Sequence, residues 1–107
     1  MPAKDIYHNA VRFALIKDGW EILTDNYNLE FGGDRLYVDI AAKKSITAQK
    51  QDRKILVEVK SFLGRSFVND LEKAVGQYII YRDILAETNS EFKLYLAISK
   101  GVYKSNF

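Results

Sequence analysis

Apolar and polar positions alternate along two central stretches of the chain, and each alternation predicts a strand. Residues 54–60 put Ile55, Val57 and Val59 on one face and Leu56, Glu58 and Lys60 on the other. Residues 36–40 turn Leu36, Val38 and Ile40 one way and Asp39 the opposite way. Residues 20–24 read as a short strand and 92–98 as a final alternating one. Helical spacing occupies the rest. Ile6, Ala10, Val11, Ala14 and Leu15 make an apolar stripe on a helix capped by Asp5, running to about Lys17 and closed by Gly19. A longer helix runs from about Val68 to Ala86, with Leu71, Val75, Tyr78 and Leu85 as its buried stripe.

Between these elements the polar stretches read as connections. Residues 25–34, with Asn26, Asn28 and Gly32-Gly33, read as a turn region; 41–52 read as a polar excursion; 61–66, with Gly64, form an exit loop. The predicted order is helix, three strands, helix, strand. It implies a mixed sheet: an antiparallel meander, then a helical crossover that returns the last strand parallel to a neighbour.

Composition narrows the class. A chain of 107 residues fits one domain over residues 1–107, and 48% hydrophobic content with seven tyrosines and six phenylalanines supplies a core. No apolar run approaches the roughly 20 residues that cross a bilayer, and residues 1–5 show no signal-peptide core. A soluble, cytoplasmic protein without membrane association is expected. The absence of cysteine excludes disulfides and thiolate metal sites, so any metal must be held by oxygen or imidazole. The net charge of +2 is too small to announce nucleic-acid binding by itself. Lys43, Lys44, Lys50, Arg53 and Lys54 nevertheless cluster between the two central strands, with Arg65 soon after; by default such a cluster is a solvated connector, and its closeness to the metal candidates adds phosphate contact as a second expectation.

Candidate chemistry rests on Asp39 and on Glu58-Val59-Lys60. If the two strands pair, both carboxylates and the lysine meet at one edge. Hard oxygen ligands of this kind suit Mg2+ or Mn2+, which take one or two carboxylates and complete their shell with water and phosphate. Lys60 would orient the attacking water or touch the phosphate. The same residues also describe the solvated face of a half-buried sheet carrying an ordinary surface ion pair.

This αβββαβ order, with Asp39 and Glu58-Val59-Lys60 on successive strands, looks like the PD-(D/E)xK, or restriction-endonuclease-like, superfamily. Gln77 and Tyr81, four apart on the long helix, resemble the QxxxY motif of its RecB-like branch, whose side chains face the active site. That branch often carries a metal-binding histidine in its first helix, and the chain's single histidine, His8, lies there. By this resemblance Asp39, Glu58, Lys60, Gln77 and Tyr81 are the catalytic candidates and His8, Asp39 and Glu58 the metal ligands. Read from the residues alone, Tyr81 is equally a packing residue and His8 equally a residue near a helix start. Val38 stands where the superfamily motif has proline.

At finer grain the chain resembles the cyanobacterial XisH family, the fdxN element excision controlling factors. Met1-Pro2-Ala3-Lys4-Asp5, His8, Val11-Arg12, Lys17-Asp18-Gly19-Trp20, Tyr37-Val38-Asp39, Val57-Glu58-Val59-Lys60-Ser61-Phe62, Asp70-Leu71-Glu72-Lys73-Ala74 and Gly76-Gln77-Tyr78 carry that likeness. It implies a role in programmed excision of a DNA element in heterocyst-forming cyanobacteria, with DNA, a site-specific recombinase and the small companion XisI as partners. Members of that family usually continue through another helix and strands beyond the position of Phe107, so this version is either short or lacks its tail, and homo-oligomerisation is open. Three functions follow as expectations: a metal-dependent DNA nuclease or DNA-processing accessory, a non-catalytic DNA- or protein-binding regulator, and the nuclease-like half of a toxin-antitoxin or defence pair.

Overall fold

In the computed structural model, residues 7–46, 51–60, 67–88 and 90–98 are described. Helix α1 (His8–Lys17) leads into β1 (Glu21–Phe31), β2 (Asp34–Ile46) and β3 (Gln51–Lys60), followed by α2 (Phe67–Glu87) and β4 (Phe92–Ile98). The sheet order is β1-β2-β3-β4, with β1, β2 and β3 antiparallel in turn and β4 parallel to β3. This is the expected αβββαβ arrangement, a mixed sheet with the crossover made by α2. Among the described residues no helix is long and apolar enough to cross a membrane.

Both faces of the sheet are covered, because successive residues of a strand point to opposite sides. Ile40, Ala42, Ile55, Val57 and Val59 form one cluster with Val11 and Leu15 of α1. Leu29, Val38, Ala41, Leu56 and Leu94 form the other with Tyr81 and Leu85 of α2. Leu56 and Ile55 thus serve different layers, and Glu58 and Lys60 fall on the face that α2 covers. Helix α1 closes as expected: Gly19 takes φ +94°, its N–H reaches the Ile16 carbonyl at 3.0 Å, and the Trp20 N–H reaches that of Leu15 at 2.9 Å. The expected Asp5 cap lies outside the described residues. Tyr7 precedes the first helical residue, so His8 begins the helix rather than standing three positions inside it.

Three expectations are corrected. The region 25–34 is not a loop: β1 continues to Phe31, and only Gly32 (φ +62°) and Gly33 (φ +86°) make the turn. Tyr27 and Leu29 pack towards α2 with a strand's period, a signal outweighed by the turn-prone Asp25, Asn26 and Asn28. The excursion over 41–52 shrinks likewise, since β2 and β3 stay paired to Ile46↔Gln51. On α2 the buried stripe is Ala74, Tyr81, Ile84 and Leu85, while Val75 is 40% exposed. The expected exit loop, 61–66, lies outside the described residues.

Val38 and Ile40 do not share a face, although two residues apart. In the β1–β2 ladder Asp25 pairs with Ile40 and Tyr27 with Val38, leaving Asn26 and Asp39 facing each other across a gap. Asn26 has φ +67°, a left-handed conformation that asparagine tolerates. The strand pair is therefore irregular at Asp39, and the alternation reverses there.

Candidate functional site

The β2–β3 ladder ends at Ile40↔Val57. Beyond that pair β2 stays with β1, as far as Asp34↔Phe31, and β3 stays with β4, through Glu58↔Leu96 and Lys60↔Ile98. Asp39 and Glu58 are the first residues of the two strands as they part. Their backbone groups lose ladder partners at this point, and side chains take over. The Val59 N–H donates to Asp39 Oδ2 at 2.8 Å, and the Asp39 N–H donates to Glu58 Oε1 at 3.3 Å. Each carboxylate thus stitches the other's strand across the fork.

Glu58 is buried, at 7% exposed. Gln77 of α2 donates from Nε2 to Glu58 Oε2 at 2.5 Å. Lys60 Nζ stands 3.9 Å from the same oxygen and its side chain is one-third exposed. Burial, followed by the hydrogen bond and charge of Asp39, raises the Glu58 pKa to about 8, against the opposing pull of Lys60 and the Asp39 N–H. Beside Asp39, Glu58 therefore gives up its proton far less readily than an ordinary carboxyl. The contact with Lys60, formally an ion pair by distance, is accordingly too long and too weak to ionise it. Two hard-oxygen donors short of positive charge are a fit for a small divalent cation, which would take the proton's place.

Of the candidate residues, Asp39, Glu58, Lys60 and Gln77 come together as described. Tyr81 does not join them through any contact seen among the described residues; it is buried between Leu85, Leu94 and Leu56. His8 is engaged elsewhere. Its Nε2 meets Asp25 Oδ1 at 2.8 Å, and Arg12 Nε donates to Asp25 Oδ2 at 3.4 Å. The imidazole is nearly fully buried, and Nδ1 has no hydrogen-bond partner among the described residues. Among those residues no three of His, Asp or Glu are grouped to hold a metal, so the expected trio of His8, Asp39 and Glu58 is reduced to its two carboxylates. Asp25 was missed because Asp25-Asn26 reads as a turn. Its register opposite Ile40, the neighbour of Asp39, places the His8–Asp25 pair beside the fork.

The basic cluster is not beside this site. Lys43 pairs with Lys54 and Lys44 with Arg53, three and four steps along the ladder from Ile40↔Val57 and away from the fork. That is roughly 10–13 Å of strand. Lys43 meets Glu21, Lys44 meets Asp18 and Lys54 meets Glu91. Lys50 and Arg65 lie outside the described residues.

The family model described as XisH protein matches residues 1–107. The chain is similar to the crystal structure of an XisH family protein from Nostoc punctiforme, with TM-score 0.81 and 40% identity, covering 94% of this chain and 74% of that one. It is similar also to a fdxN element excision controlling factor protein from Anabaena variabilis, with TM-score 0.80 and 40% identity, covering 95% and 74%. No curated protein matches the chain.

Proposed function

This chain belongs to the XisH family, and from that premise we propose that it is a Mg2+- or Mn2+-dependent nuclease or DNA-processing factor of PD-(D/E)xK type, accessory to excision of a DNA element. The observation that carries the reading is the parting of β2 and β3 at Asp39 and Glu58, which face each other with Lys60 beside them. A relative of similar structure is called a fdxN element excision controlling factor, which supports a role in DNA rearrangement.

In this mechanism a bound divalent cation would polarise the scissile phosphate and lower the pKa of a coordinated water. Asp39 and Glu58 would hold it, and Glu58 would release its proton on doing so. Gln77, on Glu58 Oε2, keeps the carboxylate turned to the fork. Lys60, partly exposed on the same face, would orient the water or neutralise the phosphate. DNA is the proposed substrate, with XisI and a recombinase as proposed partners.

Supercoiled plasmid incubated with the protein in Mg2+ or Mn2+ should be nicked or linearised. Asp39→Ala, Lys60→Ala or chelator should abolish the reaction. Intact plasmid under all conditions, with and without the companion protein, would sink the nuclease reading. One observation favours a second reading, a regulator that binds without cutting: Asp25 keeps His8 from serving as a third ligand. DNA or partner binding by the wild-type protein, with no cleavage in either metal and with the companion protein present, would establish it.

A further inference from the structure

From the end of the sheet away from the fork, an aromatic and cationic surface runs along the face that α1 only partly covers and reaches the level of Val57 through its β4 partner Tyr95. Lys44 and Arg53 are cross-strand partners. The Lys44 Nζ and the Arg53 guanidinium each stand 5.7 Å from the centre of the Trp20 ring. Arg53 Nη2 reaches towards the Tyr95 hydroxyl at 3.5 Å. Lys93 pairs with Ile55, two residues from Arg53 on the strand, and so faces the same side. Trp20, Arg53, Tyr95 and Lys93 thus form one continuous surface across β3 and β4.

Its charges are not all used internally. Lys44 is held by Asp18, whose backbone carbonyl accepts at 2.7 Å and whose carboxylate lies at 3.5 Å. Arg53 and Lys93 have no carboxylate partner among the described residues, and both are exposed. Tyr95 is 38% exposed, and around the β4 edge, on the side that α2 covers, it lines with Val75, Tyr78 and Leu96 an apolar depression of about 240 Å³. Cations without a carboxylate partner among the described residues, beside an exposed aromatic ring, match a phosphate followed by a base.

We propose that this surface binds single-stranded DNA, with phosphates on Arg53 and Lys93 and a base stacked on Tyr95 or seated in the adjoining depression. Single-stranded rather than duplex DNA follows from the aromatic half of the surface. A base in a duplex hides its faces in the stack, so a duplex would meet the cations and leave Tyr95 and its recess unused. The proposal does not depend on hydrolysis at Asp39 and Glu58.

Trp20 is the chain's only tryptophan, so its emission reports on this surface directly. Titration with a short oligothymidylate at low salt should change Trp20 emission saturably, with an affinity that falls steeply as salt rises. The double variant Arg53→Ala/Lys93→Ala should bind on the order of tenfold more weakly, and Tyr95→Ala should lose a comparable factor that Tyr95→Phe restores. Wild-type affinity should be the same in chelator as in Mg2+, which separates this surface from the metal site. Circular dichroism of each variant, with Arg53→Lys as a charge-preserving control, guards against misfolding. Three results would each overturn the proposal: no binding at low salt, oligonucleotide binding by anisotropy with no response from Trp20, or equal affinity for duplex and single strand.

Discussion

Replacing Glu58 by glutamine tests the electrostatics of the fork without disturbing its shape. A carboxyl whose pKa is raised on folding binds its proton more tightly in the folded state, so its contribution to stability is complete below the unfolded value of 4.5 and declines as pH rises to about 8. The span is about 3.5 pH units, and each unit corresponds to about 1.4 kcal/mol, giving a ceiling of about 5 kcal/mol. Structural relaxation and water entering the site reduce this, and about 2–3 kcal/mol is the expected effect. Glutamine keeps the volume and never ionises; with its oxygen accepting from Gln77 and its NH2 donating to the Asp39 carboxylate, it gives up only the long 3.3 Å bond from the Asp39 N–H. Urea unfolding of wild type and Glu58→Gln should therefore give similar stabilities near pH 5. Near pH 8.5 the variant should be the more stable by about 2–3 kcal/mol. Comparison at each pH cancels the other titrating groups. A difference between the two proteins that stays constant from pH 5 to 8.5 would refute the claim that burial and Asp39 hold a proton on Glu58.

Other expectations follow from the same contacts. Mn2+ affinity, measured by calorimetry, should rise with pH up to about 8 with release of close to one proton, because the cation displaces the one on Glu58. Gln77→Ala should weaken metal binding about 10- to 100-fold, as loss of a partner that orients a ligand does, and should cost about 1–3 kcal/mol in urea unfolding because the buried Glu58 Oε2 loses its donor. Asp25→Ala should destabilise the domain by about 1–3 kcal/mol in denaturant unfolding, since it strips the buried His8 of its partner. Gly33→Ala should cost on the order of 1 kcal/mol through φ +86° alone, because nothing lies near the added methyl; an unchanged midpoint would show that the turn adjusts.

What sequence alone determined here is whatever depends on local period and local chemistry. The αβββαβ order, the bounds of β4, the Gly19 closure of α1 and the common face of Glu58 and Lys60 are all properties of neighbouring residues, and all were legible. The pairing of Asp39 with Glu58 followed from the expected strand pairing, and Gln77 at Glu58 from a resemblance in motif. Other features needed tertiary structure, because they are relations between distant segments. The parting of β2 from β3 sets where the carboxylates replace ladder bonds, and the irregularity opposite Asn26 reverses the alternation of Val38 and Ile40. Register, which no local pattern encodes, carried Lys44 and Arg53 away from the fork and brought Asp25 to His8. The Glu58 pKa belongs to the same class: it comes from burial under α2 and from the nearby Asp39 carboxylate, both produced by packing and neither by the residues adjoining Glu58 in the chain.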